Sequence, residues 1–166
     1  MQSPRLVTMA TLERLVMPIL EVIHLDPCAD PEAEMPAVQK LTGRDGPASD
    51  GMRARWSAVG RNVWLFPPNR AEECHAHTLD EWVGKAHREY SRGATVLALL
   101  PARTTTDWFF DFVCRASAFT LVRDTYETTE VRSPGQILTL WSRDTDTKDR
   151  YLRVVGDNGL TLDTGL

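Results

Sequence analysis

Two short blocks carry the residue types that could do chemistry. Leu25-Asp26-Pro27-Cys28-Ala29-Asp30 ends an apolar run in two carboxylates, and Leu65-Phe66-Pro67-Pro68-Asn69 ends another in a rigid Pro-Pro pair. In open α/β sheets ligands bind beyond the carboxyl ends of strands, near the point where strand order reverses. A carboxylate placed there takes ribose hydroxyls or an amine. The Pro-Pro pair fixes backbone carbonyls beside Phe66 and Asn69, which suits a planar ligand. Each block also has a plainer reading. Asp26 shapes a turn before Pro27, and the prolines simply stop a strand.

Other polar clusters are weaker. Cys74-His75-Ala76-His77, with Glu72 and Glu73, fits no standard zinc spacing, and no metal site is expected. Asp144, Asp146 and Asp149 lack the Gly and terminal Glu of a calcium loop and read as a solvated turn. His87 falls beside an apolar stripe and reads as boundary packing. Arg53, Arg55, Arg61 and Arg70 bracket the Trp56 stretch and the Pro-Pro block. With Arg103 and Lys85 they could form a basic rim for phosphates, or be scattered solubilising charge.

The elements that must position these residues follow from periodicity. Apolar spacing over Ser3–Leu20 predicts a helix, ended or kinked near Met17 by Pro18. Glu21–Leu25, Asn62–Phe66 and Ala94–Leu100 read as strands, with the last buried, and all three are expected to be parallel. Cys28–Ala58 is rich in Pro, Gly and Asp and reads as irregular. Thr78-Leu79-Asp80-Glu81 fits a capping box opening a helix through Tyr90, with a Glu81–Lys85 pair and a stop at Gly93. Thr105 or Thr106 caps a second helix through Trp108, Phe109, Phe110 and Phe112, read mostly as core. Ala118–Arg123 and Ile137–Trp141 are further strands, and Tyr151–Val155 reads as an edge strand before a fraying end. The alternation predicts an α/β fold with a mostly parallel twisted sheet flanked by helices. The expected division is a domain over 1–143 and a C-terminal extension over 144–166.

Composition sets the frame. The 166 residues are 42% hydrophobic and 25% charged, ordinary globular values that give one domain able to bury a real core. A net charge of -4 excludes a strongly basic protein that coats nucleic acid, though not one with a basic face. Three cysteines at wide spacing argue for a reducing compartment, and no apolar run approaches the ~18 residues of a membrane span. The expectation is a soluble cytoplasmic protein without a membrane partner.

Many blocks, taken in order, resemble the phage-type DNA adenine methyltransferases. They are Ser3-Pro4-Arg5-Leu6-Val7, His24 through Glu32, Trp56, Asn62 through Pro68, Trp82 through Ala86, Gly93 through Thr104, Trp108-Phe109, Phe119 through Arg123, and Ser133 through Trp141. The resemblance covers most of the chain up to Trp141. It implies a Rossmann-like methyltransferase fold, S-adenosylmethionine as cofactor, double-stranded DNA as partner and, for a phage protein, the host cytoplasm. Asp26, Pro27, Cys28, Ala29 and Asp30 match the donor loop, and Ser3 and Pro4 the N-terminal element that covers the cofactor. Phe66, Pro67, Pro68 and Asn69 match the family's Asn-Pro-Pro-Tyr block, whose Asn and proline carbonyl accept hydrogen bonds from the adenine amine while the Tyr stacks on the flipped base. Arg53, Arg55, Arg61, Arg70 and Arg103 would meet DNA phosphates. Here Phe stands where the family has Asn, and Asn where it has Tyr. Phe cannot accept a hydrogen bond. The chain is then a diverged methyltransferase, one with another target, or an inactive relative that binds DNA or a host protein.

Overall fold

Of the chain, the computed structural model describes residues 7–32, 35–58, 60–68, 76–124, 126 and 135–165. Five of the apolar runs become strands, and two strands arise outside them: β1 Ile23–Asp26, β2 Ala37–Lys40, β3 Asn62–Leu65, β4 Thr95–Pro101, β5 Ala118–Val122, β6 Gln136–Trp141 and β7 Gly159–Asp163, of which β2 lies in the stretch read as irregular and β7 in the end read as fraying. They form one sheet in the order β2-β1-β3-β4-β6-β5-β7. The expected parallel trio is present: β1 pairs β3 and β3 pairs β4 in parallel, and β2 adds a fourth parallel strand beside β1. The other half corrects the expectation of a mostly parallel sheet, because β6 runs antiparallel to both β4 and β5, and β7 antiparallel to β5. An antiparallel neighbour needs no helical crossover. The sequence from Asp124 to Arg132 carries no helical spacing.

Helices cover both faces, because successive strand residues point to opposite sides. Val63, Leu65, Val96, Ala98 and Trp141 pack with Trp56, Trp82, Val83 and Phe109 in one cluster. These partners come from α3 (Leu79–Ser91) and α4 (Asp107–Asp111), apart from Trp56, which precedes β3. Trp64, Leu97, Leu99, Leu138 and Leu140 pack on the other side with Leu15, Val16, Ile19, Leu20 and Tyr151. These belong to the N-terminal helical run and to α5 (Thr145–Val155).

The N-terminal run comprises α1 (Met9–Thr11), a π-helical turn Leu12–Val16, and α2 (Met17–Leu20). Pro18 neither ends it nor breaks it. The Met17 N–H reaches back five residues to the Leu12 carbonyl, and the widened turn accommodates a residue that has no N–H and crowds the carbonyl four back. In α3 the capping box forms, with the Glu81 carboxylate accepting the Thr78 N–H at 2.7 Å. The expected Glu81–Lys85 pair does not. Lys85 is buried and turns to Glu89 at 2.9 Å. Tyr151–Val155 is part of α5 rather than an edge strand, and the edge strand lies at Gly159–Asp163. Thr147, Tyr151 and Val155, four apart, are the buried side of that helix. Asp144, read as part of a solvated turn, is its N-cap and accepts from the Thr147 N–H. No helix among the described residues is long and apolar enough to cross a membrane.

Candidate functional site

Adjacent parallel strands open their carboxyl ends on the same edge of a sheet. The chain leaves β1 for β2 on one side and leaves β3 for β4 on the other, so strand order reverses between β1 and β3. The two sequence blocks therefore meet at the switch point of the sheet. Asp26 ends β1 and is buried, and its Oδ1 accepts the Cys28 N–H at 3.2 Å. The loop it begins is tied to the end of β2: the Leu41 N–H donates to the Asp26 carbonyl at 2.9 Å, and the Ala29 N–H to the Leu41 carbonyl at 3.1 Å. Pro27, Cys28 and Ala29 are buried, and Asp30 is half-buried. One Asp30 oxygen accepts the Glu32 N–H at 2.9 Å. Both carboxylates thus shape turns, Asp26 as its plainer reading holds and Asp30 in addition, and do so at the crevice.

An open pocket of about 260 Å³ adjoins this edge, lined by Gly43, Gly46, Pro47, Asp50, Arg53, Ala76 and His77. Gly51 joins it to the crevice. A β-carbon there would sit 1.8 Å from the Pro27 carbonyl oxygen, so the backbone comes this close only because the residue is glycine. His77 lies between Asp50 at 3.5 Å and Glu81 at 3.8 Å, edge-on to Trp82. The Thr78 N–H and hydroxyl hold the Glu81 carboxyl below its usual range. Asp50 was not singled out in the sequence, and His77 only within the Cys74–His77 cluster weighed there for a metal. The Asp50-Gly51 dipeptide inside a turn-rich stretch was the available signal.

A buried polar strut anchors the far end of that stretch. Glu89 is fully buried and accepts from the Trp56 N–H at 3.0 Å, Lys85 at 2.9 Å and Arg92 at 2.9 Å. Lys85 also donates to the Ala54 carbonyl at 2.8 Å. Burial alone would raise the Glu89 carboxyl, but the Lys85 ammonium, the Trp56 N–H and Arg92 overcome it and hold it below the usual carboxylate range. Trp56 in turn donates its ring N–H to the Gly51 carbonyl at 2.8 Å. The wall from Asp50 to Trp56 is therefore pinned at both ends.

Of the remaining predicted residues, Pro67 and Pro68 are buried and Phe66 is half-buried. The Phe66 ring lies tilted 6.4 Å from Trp64 and packs against the N-terminal helical cluster. Ser3, Pro4, Asn69 and Arg70 lie outside the described residues, as do Glu72, Glu73, Cys74 and His75. Arg53 is exposed at the pocket, 3.6 Å from Asp50, and Arg55 donates to Ser57. Arg103 is exposed two residues beyond the carboxyl end of β4, on the crevice edge. Arg61 precedes β3 and so stands at the opposite edge, while Lys85 is committed to the strut. A basic rim around the crevice therefore excludes Arg61 and Lys85. Among the described residues no three metal-ligating side chains cluster. Comparisons with protein-family models, curated proteins and solved structures found no match.

Proposed function

We propose that the crevice between β1 and β3 binds S-adenosylmethionine and that the protein is a phage-type DNA adenine methyltransferase relative, transferring a methyl group to a DNA base. The observation that carries this reading is the meeting of Asp26–Asp30 with Phe66–Pro68 at the switch point. A mixed sheet covered by helices on both faces is compatible with the Rossmann-like fold the resemblance implies. The donor set fits as well. Carboxylates at Asp26, Asp30 and Asp50 suit the ammonium and hydroxyls of a cationic nucleoside ligand, and the adjoining pocket offers room beside them. When bound, S-adenosylmethionine supplies an electrophilic methyl group. The chain's part is to hold the Asp26–Ala29 backbone against β2, to present a proline carbonyl to the target amine, and to lay phosphates along Arg53, Arg55 and Arg103.

The test is calorimetric titration with S-adenosylmethionine and with its demethylated product. Saturable heat with both is expected, together with a rise in melting temperature that Asp26→Ala abolishes while the protein stays folded. No heat at millimolar ligand overturns the reading.

Phe66 favours a second reading, in which the protein keeps the fold and acts by binding. An acceptor is needed at this position, yet the ring packs on Trp64. Labelled methyl transfer to mixed-sequence DNA separates the two readings. If only the acceptor and the stacking ring are missing, Phe66→Asn with Asn69→Tyr raises transfer on the order of 10²-fold over the parent, and each single change less. Silence in all four proteins supports the binding reading.

A further inference from the structure

The outer edge of β7, at the end of the strand order away from the β1–β3 crevice, has the pattern of an interface. The Arg123 N–H donates to the Asn158 carbonyl at 2.7 Å, and the Thr164 N–H to the Ser117 carbonyl at 3.2 Å. Between these two bonds the register places Leu121 opposite Leu160 and Phe119 opposite Leu162. Antiparallel pairs alternate between hydrogen-bonded and non-hydrogen-bonded. Leu160 and Leu162 therefore turn their backbone groups toward β5, and Gly159, Thr161 and Asp163 turn theirs outward. No further strand lies beside β7 among the described residues.

We infer that β7 pairs antiparallel with β7 of a second copy of this chain, about a two-fold axis at Thr161. The outward residues are symmetric about that point. Thr161 meets its own counterpart and Gly159 meets Asp163, so each hydrogen-bonding pair falls where the ladder requires it and no carboxylate opposes another. Leu160 then faces the second copy's Leu162 across the narrow pair. Both leucines are exposed, at 64% and 42%, on the side of the sheet where Phe119 meets Phe109, and Phe109 meets the 59% exposed Phe110. Pairing makes that apolar strip continuous across the axis. An isologous contact of this kind closes on itself and leaves no propagating edge.

The two sheet edges differ in protection. β2 follows Pro36 and ends in Lys40, both common guards against edge pairing. β7 has neither Pro nor Lys, and its one charge, Asp163, is held by Lys148 at 2.6 Å. A foreign strand would not require the leucine symmetry about Thr161.

The experiment is light scattering on the full chain over a concentration series, with two double variants. The parent is expected to be a dimer that dissociates on dilution. Leu160→Lys with Leu162→Lys is expected to be folded, by circular dichroism, and monomeric throughout. Leu160→Cys with Leu162→Cys is expected to cross-link into a dimer on oxidation beyond the parent's background, while either single change does not, because like positions lie diagonally across the axis. A parent that is monomeric at every concentration overturns the inference. So does a dimer that survives the lysines, or single cysteines that cross-link as well as the pair.

Discussion

In the parallel half of the sheet, β2-β1-β3-β4, every strand ends on the same edge, and the turn leaving β1 is held by backbone bonds to Leu41 and by the close approach of Gly51 to Pro27. In the antiparallel half, strand ends alternate between edges and the polar groups are sealed inside. Tyr151 bonds Thr120 at 2.7 Å and the Leu138 carbonyl at 2.8 Å, Thr120 also meets Thr161, and Ser117 and Ser142 bond each other across the strands. The contrast separates two uses of buried polarity. On one side it aims loops at a crevice. On the other it fixes which layer lies on which.

The largest expected effect tests whether the crevice half depends on its strut. Glu89→Leu leaves the Lys85 ammonium buried without its partner and should cost about 3–5 kcal/mol in denaturant unfolding. The same group governs acid sensitivity. Because its folded carboxyl titrates below the unfolded one, near the usual value of about 4.3, its contribution is complete above that pH and is lost as pH falls through the folded value. Glu89→Gln should therefore flatten the acid limb of the stability profile. An unchanged limb would assign acid sensitivity to other carboxylates.

Tyr151→Phe asks whether the sealed half is as dependent on its network. It strips the hydroxyl from the Thr120 and Leu138 partners and should cost about 1–3 kcal/mol, with no change in ligand titration. Gly51→Ala should reach the crevice as well as stability. The β-carbon collides with the Pro27 carbonyl, so ligand affinity at the crevice is expected to fall at least about tenfold, roughly 1.4 kcal/mol. If Gly51→Ala left binding intact while Tyr151→Phe weakened it, the contrast between the halves would fail. The smallest effect is at α5. Asp144→Ala removes the N-cap and should cost about 1 kcal/mol of stability alone.

Much of this was legible in the sequence. Strands β1, β3, β4, β5 and β6 announce themselves as apolar, β-branched runs, and Thr78 with Glu81 marks the start of α3. β2 does not, because Ala37-Val38-Gln39-Lys40 has no buried face to impose a period. The direction of β6 is invisible to local pattern, since an apolar strand reads the same either way. Lys85 has a glutamate four residues on each side, and only burial chooses Glu89 over Glu81. Thr147, Tyr151 and Val155 do carry a helical period in α5, but a polar threonine and a β-rich stretch at Tyr151–Val155 masked it. At the site, both blocks were visible as separate strand ends. Their meeting depends on strand order, which is a property of the whole sheet.

The exposure of β2 has a kinetic consequence. Val38 is 73% exposed and the strand has little side-chain burial, so its ladder to β1 is nearly its whole attachment. Such a segment opens by local fluctuation, and its amides should exchange with solvent deuterons well before those of β4. The strand runs directly into Leu41, whose buried side chain anchors the Leu41–Asp26 and Ala29–Leu41 bonds that hold the first turn of the crevice. A ligand seated on that turn would slow deuterium uptake at Ala29 and Leu41, two amides it need not touch.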